Sequence, residues 1–177
     1  MTDINEIIKG CELCSLRGTE YALSRIHRGE GKKVMFIGEA PGEEEGKQHL
    51  AFVGRSGKLL DKWIEYLGID NYVITNIVRH RPPNNRIPSH EEIAQCISYL
   101  YKELENEEPY YVIALGRTSA LVLGYMTNME SMMSAIERVR PYGSQSPRTF
   151  VFYHPSYILR THKDMTPYLD DLKKRLK

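Results

Sequence analysis

Cysteine is scarce in this sequence, with three among 177 residues, which does not suggest a disulfide scaffold. No apolar run approaches the ~18 residues of a membrane helix, and the amino terminus lacks the basic-then-apolar pattern of an export signal. The expected location is the cytoplasm, or a nucleoid within it, with no membrane partner. Neither sign of charge is in excess: the formal net charge is +1, so any nucleic-acid affinity must come from local patches and not from a global field. Internal repeats and low-complexity tracts are missing. The run GEAPGEEEG, residues 38–46, lacks the Walker lysine pattern and the dinucleotide glycine spacing, and its adjacent glutamates would repel a pyrophosphate. There is no G-x-S-x-G nucleophile elbow.

What is present has the composition of a globular protein, long enough for one well-buried domain over residues 1–177. Val34 to Ile37 is an apolar run suited to an interior parallel strand, ended by Gly38, with Pro41 and Gly42 forcing a turn. A helix then carries Leu59, Leu60, Trp63, Ile64 and Leu67 on one face and stops at Gly68. Further strands are expected at Tyr72 to Asn76, Tyr110 to Gly116 and Thr149 to Tyr153. The capping-box spacing Ser89 to Glu92 should start a helix with Ile93, Ile97, Leu100 and Leu104 inward. A short helix is expected within Thr2 to Gly10, another over Arg117 to Leu123, and a last one carrying Leu169 and Leu172. Glu20 to Lys33 reads as loop or irregular edge, and Arg79 to Arg86 as irregular because of its prolines. Met126, Met129, Met132 and Met133 read as fillers of irregular core gaps. Strands alternating with helices imply an α/β fold with a parallel sheet and helices on both faces.

Two constellations carry chemistry. Cys11 and Cys14 form a C-x-x-C pair, open to a redox, metal or structural reading. With His80 and Cys96 they make a complete four-ligand set for a soft or borderline metal, and composition does not choose between zinc and an iron–sulfur cluster. The second set is Glu39, Glu45, Phe52, Asn76 and His154, on loops expected at the carboxyl ends of the strands, where open α/β folds place their chemistry. It offers a ring to stack on a planar ligand, an amide to pair with its edge, and an imidazole to stabilise charge.

In order and spacing, GEAPGEEEG with the following AFVGRSGKLL, then NIVRHRPPNNRIP, ALG and HPSYILR resemble the successive motifs of the thermostable, iron–sulfur-containing family of uracil-DNA glycosylases, family 4. The amino-terminal CELCSL is similar to that family's cluster-binding start. The likeness spans nearly the whole chain. It implies a three-layer α/β/α sandwich around a four-stranded parallel sheet. It also implies a monomeric, monofunctional enzyme that removes uracil from DNA, leaves an abasic site and does not cut the backbone. Carried over by residue, Phe52 stacks on the flipped base, Asn76 reads its edge, and His154 lies at the carbonyl oxygen nearest the glycosidic bond. Glu39 lies near the water site, Glu45 borders the pocket, and Ala40 is expected among the substrate-binding residues. Arg81, Arg86, Ser156 and Arg160 match elements that grip DNA. The metal set becomes the ligand set of a [4Fe–4S] cluster, with zinc as the alternative.

Two departures from the family pattern stand out. His80 replaces a cysteine, as in a related covalently acting group, but Arg86-Ile87-Pro88 lacks that group's nucleophilic histidine, so no covalent trapping is expected. Gly46 and the run Lys47 to Ala51 replace the family's usual approach to Phe52. Two other functions stay open from sequence: a non-catalytic, zinc-stabilised nucleic-acid binding module, and a redox protein using Cys11 and Cys14. Against the latter, the pair precedes the first expected strand instead of sitting on a strand–helix turn.

Overall fold

In a computed structural model, residues 4–124, the backbone of 138–139, and residues 147–177 are described. The four methionines expected to fill core gaps lie outside them. The strands are β1 (Arg25–His27), β2 (Val34–Gly38), β3 (Tyr72–Asn76), β4 (Tyr111–Leu115), β5 (Arg138–Val139) and β6 (Arg148–Phe152). The helices are α1 (Ile4–Lys9), α2 (Glu43–Gln48), α3 (Arg55–Leu67), α4 (His90–Glu107), α5 (Arg117–Val122), α6 (Pro155–Thr161) and α7 (Thr166–Arg175).

They build one sheet in the order β1-β3-β2-β4-β6-β5. The four inner strands are mutually parallel, and β1 and β5 pair antiparallel at the two edges. The alternation of side chains along β2 sorts the core into two layers. Val34 and Phe36 meet Leu60, Trp63 and Ile64 of α3, Ile158 of α6, and Leu169 and Leu172 of α7. Met35 and Ile37 face Ile8 of α1 and Cys96, Tyr99 and Leu100 of α4. Each fully buried large apolar side chain contributes about 1.5–3 kcal/mol of transfer free energy. This is the α/β architecture with helices on both faces that the sequence implies, with two antiparallel edge strands added to the parallel core.

Local departures have identifiable causes. The acidic run of GEAPGEEEG is no loop but helix α2: three glutamates occupy its first turn, where the helix dipole favours negative charge, and Lys47 pairs with Glu43 at 2.7 Å. The HPSYILR segment is likewise α6, with Pro155 at the first helical position and the His154 side chain accepting from the Ser156 amide as its cap. Part of the segment read as irregular is β1, a three-residue edge. Arg79, which opens the 79–86 segment read as irregular, is 1% exposed. Its guanidinium donates to Glu103 Oε2 at 2.6 Å, to Ser24 Oγ at 2.8 Å and to the Thr75 hydroxyl.

The capping box on α4 forms as expected, and it reaches further than the helix. The Glu92 carboxylate accepts from the Ser89 amide at 2.8 Å, from Ser15 Oγ at 2.7 Å, and from both terminal nitrogens of Arg86 at 2.8 and 2.6 Å. These donors, Arg86 first, hold its pKa down to about 2. A lowered carboxylate pKa adds stability above the ordinary carboxylate range, and that stability is lost as pH falls through about 2. Glu92→Ala is therefore expected to cost about 1–3 kcal/mol at neutral pH, read as a lower urea midpoint with unchanged slope. An unchanged midpoint would show that this junction is only a surface decoration.

Candidate active site

The carboxyl ends of β2, β3, β4 and β6 open into a cavity of about 820 Å³. Of the non-metal site residues expected from sequence, Glu39, Ala40, Glu45, Phe52, Asn76, Arg86, His154, Ser156 and Arg160 line it; Arg81 does not.

Gly38 is the point on which the pocket floor turns. It sits opposite Asn76 in the parallel register of β2 and β3. A Cβ there would come within 2.5 Å of Asn76 Oδ1 and of the Phe52 ring, so only glycine lets the amide and the ring converge. Asn76 is 3% exposed, and its Oδ1 is buried without a hydrogen-bond partner. A buried polar atom left unpaired costs free energy, which a ligand donor would recover.

Phe52 has φ of +54°, a left-handed conformation that is strained for a phenylalanine. The loop is held there from both sides. Glu45 Oε1 accepts from the Val53 amide at 3.0 Å and the Gly54 amide at 2.8 Å, while the Ala51 amide donates to the Leu23 carbonyl at 2.9 Å. Glu45 thus borders the pocket as a brace of the Phe52 loop, with Oε1 occupied by amides. Lys47 to Ala51, the stretch that departs from the family pattern, supplies the pairing with residues 21–23, and His49 stacks on Tyr21 with centroids 4.3 Å apart.

His154 caps α6 across the pocket from β2. Its ring centroid lies 5.6 Å from that of Phe52, tilted by 39°. Gly116, at φ of +87°, passes so close that a Cβ would stand 3.0 Å from His154 Cβ. Nδ1 accepts from the Ser156 amide at 3.1 Å and contacts Ser156 Oγ at 2.8 Å. Burial, with a smaller contribution from the Arg160 charge, pushes the imidazole pKa down to about 4. The ring is therefore neutral at pH 7, and with Nδ1 engaged as an acceptor its proton sits on Nε2. Glu39, just beyond β2, accepts a hydrogen bond from the Thr118 hydroxyl of α5. Thr118 carried no sequence signal: nothing in GRTS marks a hydroxyl aimed back at a neighbouring strand end.

The cationic residues differ in availability. Arg160 is exposed at the mouth. Arg86 is clamped by Glu92, and Arg81 Nε donates to Asn85 Oδ1 at 2.8 Å, with Glu43 and Glu20 carboxylates 3.8 and 4.0 Å from its other nitrogens. Both fix the 81–89 segment beside the cavity.

The metal expectation is overturned. Among the described residues, no group of three or more His, Cys, Asp or Glu side chains is placed to hold a metal ion. Cys11, Cys14, His80 and Cys96 therefore form neither the [4Fe–4S] ligand set nor its zinc alternative, and the zinc-stabilised module loses its basis. All three cysteines are free. Burial raises the Cys96 thiol to about 11, and its sulfur accepts the Arg79 amide at 3.3 Å. Tyr99 donates to Cys11 Sγ at 3.1 Å. His80 is buried edge-on against Tyr21, with centroids 6.1 Å apart.

Comparison with known proteins agrees with the motifs. The model of the uracil DNA glycosylase superfamily matches residues 27–176. The chain is 31% identical to the type-4 uracil-DNA glycosylase of Archaeoglobus fulgidus, over 98% of this chain and 90% of that protein. It is 34% identical to the type-4 enzyme of Thermotoga maritima, over 93% and 85%. With that of Saccharolobus solfataricus it shares 38% identity, over 88% and 76%.

Proposed function

The chain belongs to the uracil DNA glycosylase superfamily, with the type-4 enzymes, and on that premise we propose that it hydrolyses the N-glycosidic bond of uracil in DNA. The products are free uracil and an abasic site, the opening step of base excision repair. The observation that carries this reading is the buried, unpartnered Asn76 Oδ1 beside the Phe52 ring: a planar base stacked on Phe52 would bring a donor to it.

A base inside a duplex cannot reach such a cavity, so the nucleotide flips out, most readily from a mismatch such as U·G or from a single strand. Uracil then offers N3–H to Asn76 Oδ1 and O4 to its Nδ2–H. Cytosine presents the reverse pattern and leaves buried groups unpaired. Bond breaking puts negative charge on uracil and cationic character on the sugar. His154 Nε2–H donates to the oxygen nearest the breaking bond, a contact that strengthens as the anion forms. Glu39, oriented by Thr118, orders the attacking water and favours the positive sugar. Ser156 fixes His154 and lies with Arg160 where phosphates approach. Arg81 and Arg86 shape the flanking loop.

The lowered pKa of His154 gives this reading a pH signature. A histidine that must be neutral to act stays competent until pH falls through its folded value, here about 4. The single-turnover rate of uracil release is therefore expected to show no step near the ordinary histidine value of ~6.5. A step there that disappears in His154→Ala would mean that the ring titrates as an exposed group and acts otherwise.

A further inference from the structure

Beside the cavity mouth lies an aromatic group that the chemistry above does not use. Tyr153, at the end of β6, and Tyr157, on the first turn of α6, stack with centroids 5.5 Å apart and planes 10° from parallel. Lys163 lies over the Tyr153 ring, its Nζ 4.8 Å from the centroid, and donates to the Tyr153 hydroxyl at 3.2 Å. Its Nζ is also 4.9 Å from the Tyr168 centroid, and Tyr168 meets Tyr153 edge-on. Tyr157 is therefore backed by a fixed ring that is itself held by a cation. It nevertheless leaves 40% of its surface in solvent, and both tyrosines line the cavity wall with Arg160.

An aromatic face left open to water gains free energy when something covers it, and here the surroundings say what does. It is continuous with the proposed base pocket, and Arg160 and Lys163 add positive charge beside it, so the occupant is a flat, polyanion-borne group. We infer that Tyr157 is a stacking platform for the base next to the flipped uracil, and that it tunes the enzyme toward single-stranded DNA. In a duplex the neighbouring base is already stacked on its own strand, whereas in a single strand it is free to take the tyrosine face. The platform is built before DNA arrives, so little side-chain freedom is lost on binding. This inference rests on the glycosylase reading.

The test is the affinity for a single-stranded oligonucleotide carrying 2′-fluoro-2′-deoxyuridine, which resists excision. Natural bases flank it, or one neighbour is replaced by a tetrahydrofuran abasic unit. Tyr157→Ala is expected to weaken binding of the natural strand about tenfold, and Tyr157→Phe to leave it unchanged. Abasic replacement of one neighbour should weaken the unaltered protein as much, and Tyr157→Ala should then add no further loss. The effect of Tyr157→Ala on the matching duplex should be several-fold smaller. Equal affinities of Tyr157→Ala and the unaltered protein for the single strand would overturn the inference, as would losses that simply multiply with the abasic substitution. Excision of uracil from ordinary DNA by the unaltered protein, measured alongside, separates failure of the platform from failure of the glycosylase reading.

Discussion

His154→Ala is expected to lower the single-turnover rate of uracil release by about 10²–10³-fold while changing DNA affinity little. The reason lies in where the hydrogen bond acts. Nδ1 is committed to the Ser156 amide, so Nε2–H is the donor left to face the cavity, and burial keeps the ring from taking a second proton. A neutral donor meets a neutral carbonyl weakly in the ground state and an anionic oxygen strongly in the transition state. Its loss therefore falls on the chemical step. His154→Gln, which retains a donor of similar reach, should recover part of the rate. Equal losses in affinity and rate for His154→Ala would mark the residue as a binding contact.

The second large effect is expected at Asn76. Asn76→Asp puts a carboxylate in a site that is 3% exposed and already holds one unpartnered oxygen. It replaces the Nδ2 donor to uracil O4 by an acceptor, so the pairing pattern for uracil is broken and a charge is left buried. A few kcal/mol of transition-state stabilisation should be lost, on the order of 10²–10³-fold in uracil release. The preference for uracil over cytosine should narrow at the same time, because an acceptor at this position suits the cytosine amino group. The measurement is the rate on paired oligonucleotides differing only in that base. Unchanged rates on both would remove Asn76 from base recognition.

The sheet was legible because its inner strands are short apolar runs with turn residues at their ends: Val34–Gly38 and Tyr111–Leu115 are buried along their whole length. Their parallel order then brought Glu39, Asn76 and His154 to one edge, and that placement needed only topology. The Ser89 box and the Gly68 stop were legible for the same local reason. Helices α2 and α6 were not, because the six residues EEEGKQ and the seven residues PSYILRT are too few to show an apolar period. Their signals were electrostatic and positional, an acidic first turn and a proline at the first helical residue.

Ion partners were equally hidden. Arg79 and Arg86 showed no partner in the sequence until Glu103, late in α4, and Glu92, in its first turn, closed on them. The metal reading failed on the same kind of ground. Spacing named Cys11, Cys14, His80 and Cys96 but carried no distances, and in the fold Cys11 meets Tyr99, His80 meets Tyr21 and Cys96 meets the Arg79 amide. Glu45 shows a milder shift, from an acidic pocket residue to the brace that holds Phe52 at positive φ.

The central claim is that this cavity excises uracil by hydrolysis. The most direct measurement is incubation of the purified protein with an end-labelled oligonucleotide containing one uracil, followed by electrophoresis with and without hot alkali. The account predicts free uracil in the supernatant, an intact strand before alkali, and one cleavage at the uracil position after it. An otherwise identical strand with cytosine should stay whole. An uncut uracil strand after alkali, or a strand cut without it, would contradict the account.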